Sequence, residues 1–342
     1  MAIVIISPKG ANCIHWFARV GNSCVESYIN VCKRKAPESE IVSDQPKSIE
    51  IIEVSPRDGI QNEPTILSVD TKLALIDRAI AAGATRIEVT SFVNPARVPQ
   101  LADADALCAR LPKGPRYIGL ALNMRGFHRA VAAKLHEVNF VIVASDTFSQ
   151  RNQGMSTAQG LSLWAEVQAE AQGKIAAGLT IGAAFGCPFE GEISLTRLMQ
   201  TVETAMKTPP AELTLADTIG VATPRDITDR VQAIRAAFPS VKLRLHLHNT
   251  RNTGIANAWA GIIAGVTAFD AALGGVGGCP FAPKATGNIA TEDLVYMAER
   301  AGISTGLNLT DCISAAQWLE TQLGHTIPGM LMKAGGFPPQ AA

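Results

Sequence analysis

The 342-residue chain is 47% hydrophobic and carries 30 basic against 30 acidic residues, enough length and apolar content to bury one barrel-sized core or two smaller ones. Balanced charge and a sequence pI near 7.0, with no Lys/Arg patch interleaved with aromatics, argue against nucleic acid or an anionic membrane surface as the main partner. Seven scattered cysteines, odd in number and without a C-x-x-C pair, indicate neither a disulfide framework nor a structural zinc knuckle and point to a reducing cytoplasm.

No apolar run approaches the roughly 20 residues that span a bilayer. Ala2 to Ile6 is too short and wrongly flanked for a secretory signal, and the opening segment is poorer in Arg than a transit peptide. Residues 1–47 lack helical or strand periodicity and end in the polar stretch Lys35 to Lys47. They are expected to form a poorly ordered extension outside the main fold.

From Ile49 onward, short β-branched runs alternate with longer amphipathic, Ala-rich segments, the pattern of repeated βα units. Strands are predicted over Ile49–Val54, Arg86–Ser91, Tyr117–Leu122, Val138–Ala144, Thr180–Phe185, Glu212–Ala216, Lys242–Leu247 and Ala268–Ala272. Helices are predicted over Val69–Ala82, Leu161–Ala177, Leu195–Lys207, Pro224–Phe238 and Gly254–Ala264. Eight units in about 250 residues fit a closed (β/α)8 TIM barrel of the α/β class over residues 48–305. A C-terminal helical tail, 306–342 and including Asp311–Leu323, follows. An open doubly wound sheet loses its support because no strand is followed by G-x-G-x-x-G opening a helix. The loop Leu273 to Cys279 has no Lys-Ser/Thr ending, so it is no P-loop.

The first strand ends in Ser55-Pro56-Arg57-Asp58-Gly59, which leaves a cation and an anion at its carboxyl end, where parallel α/β folds carry their active sites. A structural ion pair is the plainer reading, and other residues must converge on the spot to displace it. The seventh strand reads Leu243-Arg244-Leu245-His246-Leu247-His248. Alternation sends both histidines to one side, the barrel interior if the leucines face the helices. Two imidazoles roughly 7 Å apart along one face, with converging rings, can grip one metal ion. Asp58, on a neighbouring part of the closed barrel, can add a carboxylate and leave open positions, the mark of a catalytic centre. Mg²⁺ or Mn²⁺ suits substrates that chelate through oxygen, and Zn²⁺ or Fe²⁺ also fits the ligands.

The glycines around Cys279 suggest a lid that carries this cysteine over the barrel mouth, against the alternative of tight turns around a small buried thiol. Polar residues at other strand ends are further candidates: Glu88 and Ser91, Asn123, Ser145, and Asp217 with Thr218. Each could instead cap a helix. Asn288 is either an oxygen ligand or the N-cap of a helix beginning near Thr291.

Taken together, Ile52 to Glu63, Ile87 to Val93, Ala216 to Gly220, His246-Leu247-His248, Gly274 to Ala282 and Gly287 to Asp293 resemble the 3-hydroxy-3-methylglutaryl-CoA lyases of the DRE-TIM metallolyase superfamily. The resemblance implies a divalent cation, Mg²⁺ or Mn²⁺, surrounded by Asp58, His246, His248 and Asn288. It implies a CoA thioester substrate cleaved to acetyl-CoA and a keto acid, with leucine degradation as the pathway that the family name carries. Arg57 would stabilise the enolate oxygen, Cys279 would be the catalytic cysteine, and Asp58 or His248 would be the base. Gln61, Glu88 and Asp217 would hold Arg57, the metal ligands or substrate, with Asn123, Ser145, Thr218 and Gly278 completing the expected substrate-binding set. Asn249 stands where the better-known lyases carry an acidic residue after the second histidine, and Pro64 replaces a basic residue, which bears on substrate choice. Citramalyl-CoA or a longer branched 3-hydroxyacyl-CoA is the alternative substrate. A condensing synthase or carboxyl transferase is the alternative enzyme, although the chain is short for a regulatory domain and lacks a Lys on the inner strand faces. For the assembly, a homodimer or a homotetramer, no residue of the sequence decides.

Overall fold

The computed structural model describes residues 45–278 and 287–338. Cys279 and the residues to 286, like the extension before residue 45, lie outside the described residues. Eight strands alternate with helices: β1 (Glu50–Glu53), α1 (Val69–Ala81), β2 (Arg86–Ser91), α2 (Ala104–Cys108), β3 (Arg116–Ala121), α3 (Met124–Ala132), β4 (Glu137–Val143), α4 (Asp146–Gln153), α5 (Thr157–Ala171), β5 (Ala176–Gly182), α6 (Leu195–Ala205), β6 (Leu213–Asp217), α7 (Pro224–Ala237), β7 (Leu243–Leu247), α8 (Gly254–Ile263), β8 (Ala268–Ala271), α9 (Thr291–Arg300), α10 (Leu309–Leu323) and α11 (Leu331–Ala334). A two-stranded hairpin, Gly186–Cys187 with Gly191–Glu192, follows β5.

All neighbouring barrel strands are parallel, and the ring closes where β1 pairs with β8 in the register Ile51↔Phe269 and Glu53↔Ala271. Seven helices start on a Ser, Thr or Asn whose side chain accepts a hydrogen bond from the amide three residues on, at Ser68, Asn123, Ser145, Ser156, Ser194, Thr223 and Asn308. Such caps satisfy amides that the first turn leaves without partners.

The fifth unit differs from the sequence expectation. The helix begins earlier, on a Ser156–Gln159 capping box, and Gly173 in a left-handed conformation (φ +72°) ends the turn that follows it. Residues 176–182 are thereby free to be strand. Ala176 and Ala177, expected as helix, pair with Glu137 and Val138 of β4. Small alanines carry no β-branched signal, and cross-strand pairing decides their state.

Apolar side chains fill the layer between strands and helices. Leu245 of β7 points outward against Gly261 of α8, and Trp164 of α5 is fully buried, its indole donating to Thr208 O at 3.0 Å. The barrel interior is polar instead. Toward the amino ends of the strands, Arg86 bonds Glu137 (2.5 Å), Glu212 (2.8 Å) and Glu50 (3.1 Å). A layer higher, Asn139 bridges Thr180 (2.8 Å) and Glu88 (3.2 Å). The tail closes over one side of the barrel. Thr65 donates to Leu323 O at 3.0 Å, Arg78 of α1 stacks over Trp318 of α10, and Gly329 N donates to Gly274 O at 2.8 Å.

Candidate active site

The turn after β1 is a π-type turn over Ser55–Gly59, in which Gly59 N reaches Val54 O (3.1 Å) and Ile60 N reaches Ser55 O (3.0 Å). Gly59 is needed for space, since a Cβ there would lie 2.6 Å from Val276 Cγ2. The turn places Arg57 between two carboxylates: Nη1 donates to Asp58 Oδ1 and Nε to Glu88 Oε1. The guanidinium is thus fixed before any substrate arrives. Gln61 follows in the same loop, its amide donating to Asp58 O at 3.4 Å.

His246 and His248 both point into the barrel, with ring centroids 5.1 Å apart and their Nε2 atoms 3.2 Å apart. Asp58 Oδ2 lies 3.8 Å from His246 Nε2 and 4.0 Å from His248 Nε2. Donors sharing one small cation at about 2.0–2.2 Å stand between about 3 and 4.4 Å apart, and all three separations fall in that range. Asp270 Oδ2 sits 3.0 Å from His246 Nδ1. A proton held there leaves His246 Nε2 bare, the form that binds a metal. Asn288 Nδ2 donates to Asp58 Oδ2 (2.8 Å) and Val276 O (3.0 Å). Its Oδ1 is buried with no hydrogen-bonding partner. An orphaned amide oxygen beside a carboxylate and two imidazoles is a donor set that fits a divalent cation.

Asn288 is therefore not the N-cap of α9, a position that Ala290 occupies. Gly277 makes its approach possible: with φ +112° and a Cβ that would meet Asn288 Nδ2 at 2.5 Å, only glycine fits.

Charge follows geometry. Burial works against ionising Asp58, but Arg57 and then the two histidines hold its carboxyl far below the usual range. Burial, reinforced by His246, draws His248 down to about 4. His246 moves the other way: burial opposes its charge, yet the hydrogen bond to Asp270 and the Asp58 carboxylate raise it overall. Asp270 is held low despite burial, chiefly by Arg244 and then His246.

The other expected site residues stand at or beyond the carboxyl ends of barrel strands and are engaged with backbone. Asn123 caps α3 and Ser145 caps α4, and Ser145 Oγ also lies 2.9 Å from Cys187 Sγ. Asp217 accepts from Val221 N (2.9 Å) and Ala222 N (3.0 Å), and Thr218 Oγ1 accepts from Ala183 N (2.9 Å). Asn249 Oδ1 accepts from Gly254 N at 2.9 Å, ahead of α8. Gly278 O accepts from Asn62 Nδ2 at 2.5 Å, which anchors the near end of the glycine loop to the Asp58 turn.

Two residues that the sequence reading passed over join this set, Asp270 behind His246 and Asn139 behind Glu88. Period-two alternation along β8 and β4 was the signal that could have found them.

The HMGL-like family model matches residues 48–319. An (R)-citramalyl-CoA lyase of Chloroflexus aurantiacus is 43% identical over 307 residues, covering 86% of this chain and 97% of its own. A hydroxymethylglutaryl-CoA lyase of Bacillus subtilis is 37% identical, covering 83% and 96%. Among solved structures, an HMG-CoA lyase from Acinetobacter baumannii, in complex with coenzyme A and 3-methylmalate, superposes with a TM-score of 0.83 at 41% identity over 86% of this chain and 98% of that one. The chain belongs to the HMGL-like family of carbon–carbon lyases.

Proposed function

We propose that the protein is a divalent-cation-dependent lyase that cleaves 3-hydroxy-3-methylglutaryl-CoA, or a close 3-hydroxyacyl-CoA, to acetyl-CoA and a keto acid. The observation that carries this reading is the fixed Arg57 beside an Asp58–His246–His248 cluster whose donor spacing suits one ion. When bound, a divalent cation supplies Lewis acidity to the oxygens of the substrate's hydroxyl and carboxylate. Asp58, His246, His248 and Asn288 would hold it.

Removal of the hydroxyl proton starts the reaction, and both Asp58 and neutral His248 are unprotonated acceptors near pH 7. The electron pair of the breaking carbon–carbon bond moves onto the thioester as an enolate. Arg57, already oriented by Glu88 and Asp58, stabilises that oxygen without reorganising. Protonation of the enolate carbon gives acetyl-CoA, a task we assign to Cys279 directly beyond Gly278. Gln61, Asn123, Ser145, Asp217, Thr218 and Gly278, each at or beyond the carboxyl end of a barrel strand, are proposed to shape the thioester site.

Citramalyl-CoA, with its carboxylate one methylene closer to the carbinol, is the second reading. The 43% identical relative favours it, as does the neutral Asn249, which removes a negative charge beside the histidines.

Steady-state assays of the wild type with Mg²⁺ against both thioesters test the proposal. Cleavage of one of them, lost on chelation and regained with metal, and nearly abolished in Cys279→Ala, is the expected outcome. Activity indifferent to chelation would reject it.

A further inference from the structure

Below the histidine pair lies a buried cation that the proposed chemistry does not use. Arg244 shares the inner face of β7 with His246, two residues on, and is only 1% exposed. Its Nε donates to Thr214 Oγ1 at 2.8 Å and stands 3.2 Å from Glu212 Oε2. These contacts pin one edge of the guanidinium. Its Nη1 then lies 3.3 Å from Asp270 Oδ1. That contact is an ion pair and not a hydrogen bond, since neither atom has a hydrogen-bonding partner among the described residues. The second oxygen of Asp270 meets His246 Nδ1 at 3.0 Å.

We propose that Arg244 is a positioning residue for the cation site, acting through Asp270. A fixed charge on one carboxylate oxygen sets the direction of the other, which keeps the His246 proton on Nδ1 and turns its bare Nε2 toward His248 and Asp58. Supporting groups of this kind orient metal-bound imidazoles, and their loss weakens metal binding about 10–100-fold. The inference rests on the reading of Asp58, His246 and His248 as a cation site. The chain makes the arrangement available because Leu243, Leu245 and Leu247 face outward, leaving Arg244 stacked directly under the histidines.

Two measurements on Arg244→Met test it. In the metal-free protein, at a pH alkaline enough that the His246 ring is neutral, its ring ¹⁵N shifts are expected to report an Nδ1–H tautomer in the wild type and a mixture in the variant. In Mn²⁺ titrations followed by electron paramagnetic resonance, the variant is expected to bind about 10–100-fold more weakly. The loss should not add to that of Asp270→Asn, and Arg244→Lys should restore part of it. Should Arg244→Met not fold, Thr214→Val, which removes the hydrogen bond to Nε and leaves the Glu212 contact, should still weaken Mn²⁺ binding several-fold. Wild-type Mn²⁺ affinity and an unchanged tautomer in folded Arg244→Met or Thr214→Val would overturn the proposal. A wild type that takes up no Mn²⁺ would instead sink the cation-site reading, and the tautomer measurement would still decide the role of Arg244.

Discussion

Arg57 is held by carboxylates on two sides before substrate arrives, so the cation that meets the enolate needs no rearrangement. Arg57→Met is expected to lower kcat about 10²–10³-fold, the usual effect of removing one electrostatic stabiliser of a transition state, with little change in KM. Glu292 offers a test that leaves the chemistry aside. Burial pushes its carboxyl up to about 8, with Oε2 accepting from Gly274 N at 3.0 Å and Oε1 unpartnered. The unfolded chain releases this proton near the ordinary 4.5, whereas the folded protein keeps it to about 8. Its contribution to stability is therefore complete below the lower value and is lost as pH rises through the window. Glu292→Gln should flatten the decline in urea midpoint between pH 5 and 8. An unchanged slope would show that this carboxyl does not titrate there.

Individual elements show what the sequence made legible. Short apolar runs marked the strands, except for the small-residue start of β5, and alternation along β7 places both imidazoles inward, with Leu247 between them turned to the helical layer. Arg57 meets Asp58 and Glu88, and Asn288 meets Asp58. What escaped was pairing that only closure creates. Arg86, Glu137 and Glu212 are far apart in the chain, and no local pattern announces that one arginine will serve two buried glutamates. Asn123 and Ser145 take the helix-capping role, each accepting from the amide three residues on. Loop geometry around the site is equally tight: Gly277→Ala must strain a positive φ and push against Asn288. It is expected to destabilise the fold by more than 1 kcal/mol and to weaken Mn²⁺ binding, readable by thermal unfolding and metal titration.

At the scale of the molecule, the barrel is a polar-cored cylinder inside an apolar sleeve. Removing the cation at its floor should be severe. Arg86→Met leaves Glu137 and Glu212 buried with reduced compensation, a change that typically costs about 3–5 kcal/mol. Urea unfolding would measure it, and a loss under about 1 kcal/mol would mean that Arg116 and Arg244 already neutralise the layer.

The pairing of β1 with β8 joins the earliest strand of the cylinder to the latest, and the donor atoms stand astride that junction: Asp58 follows one strand, Asn288 comes after the other, and the imidazoles come from the strand next door. An ion seated among them would work as a clasp where, in the described barrel, the first strand meets the last. Amide hydrogen exchange in Ile51 and Ile52 should accordingly slow when Mn²⁺ is added, more than in β4 or β5 on the opposite wall.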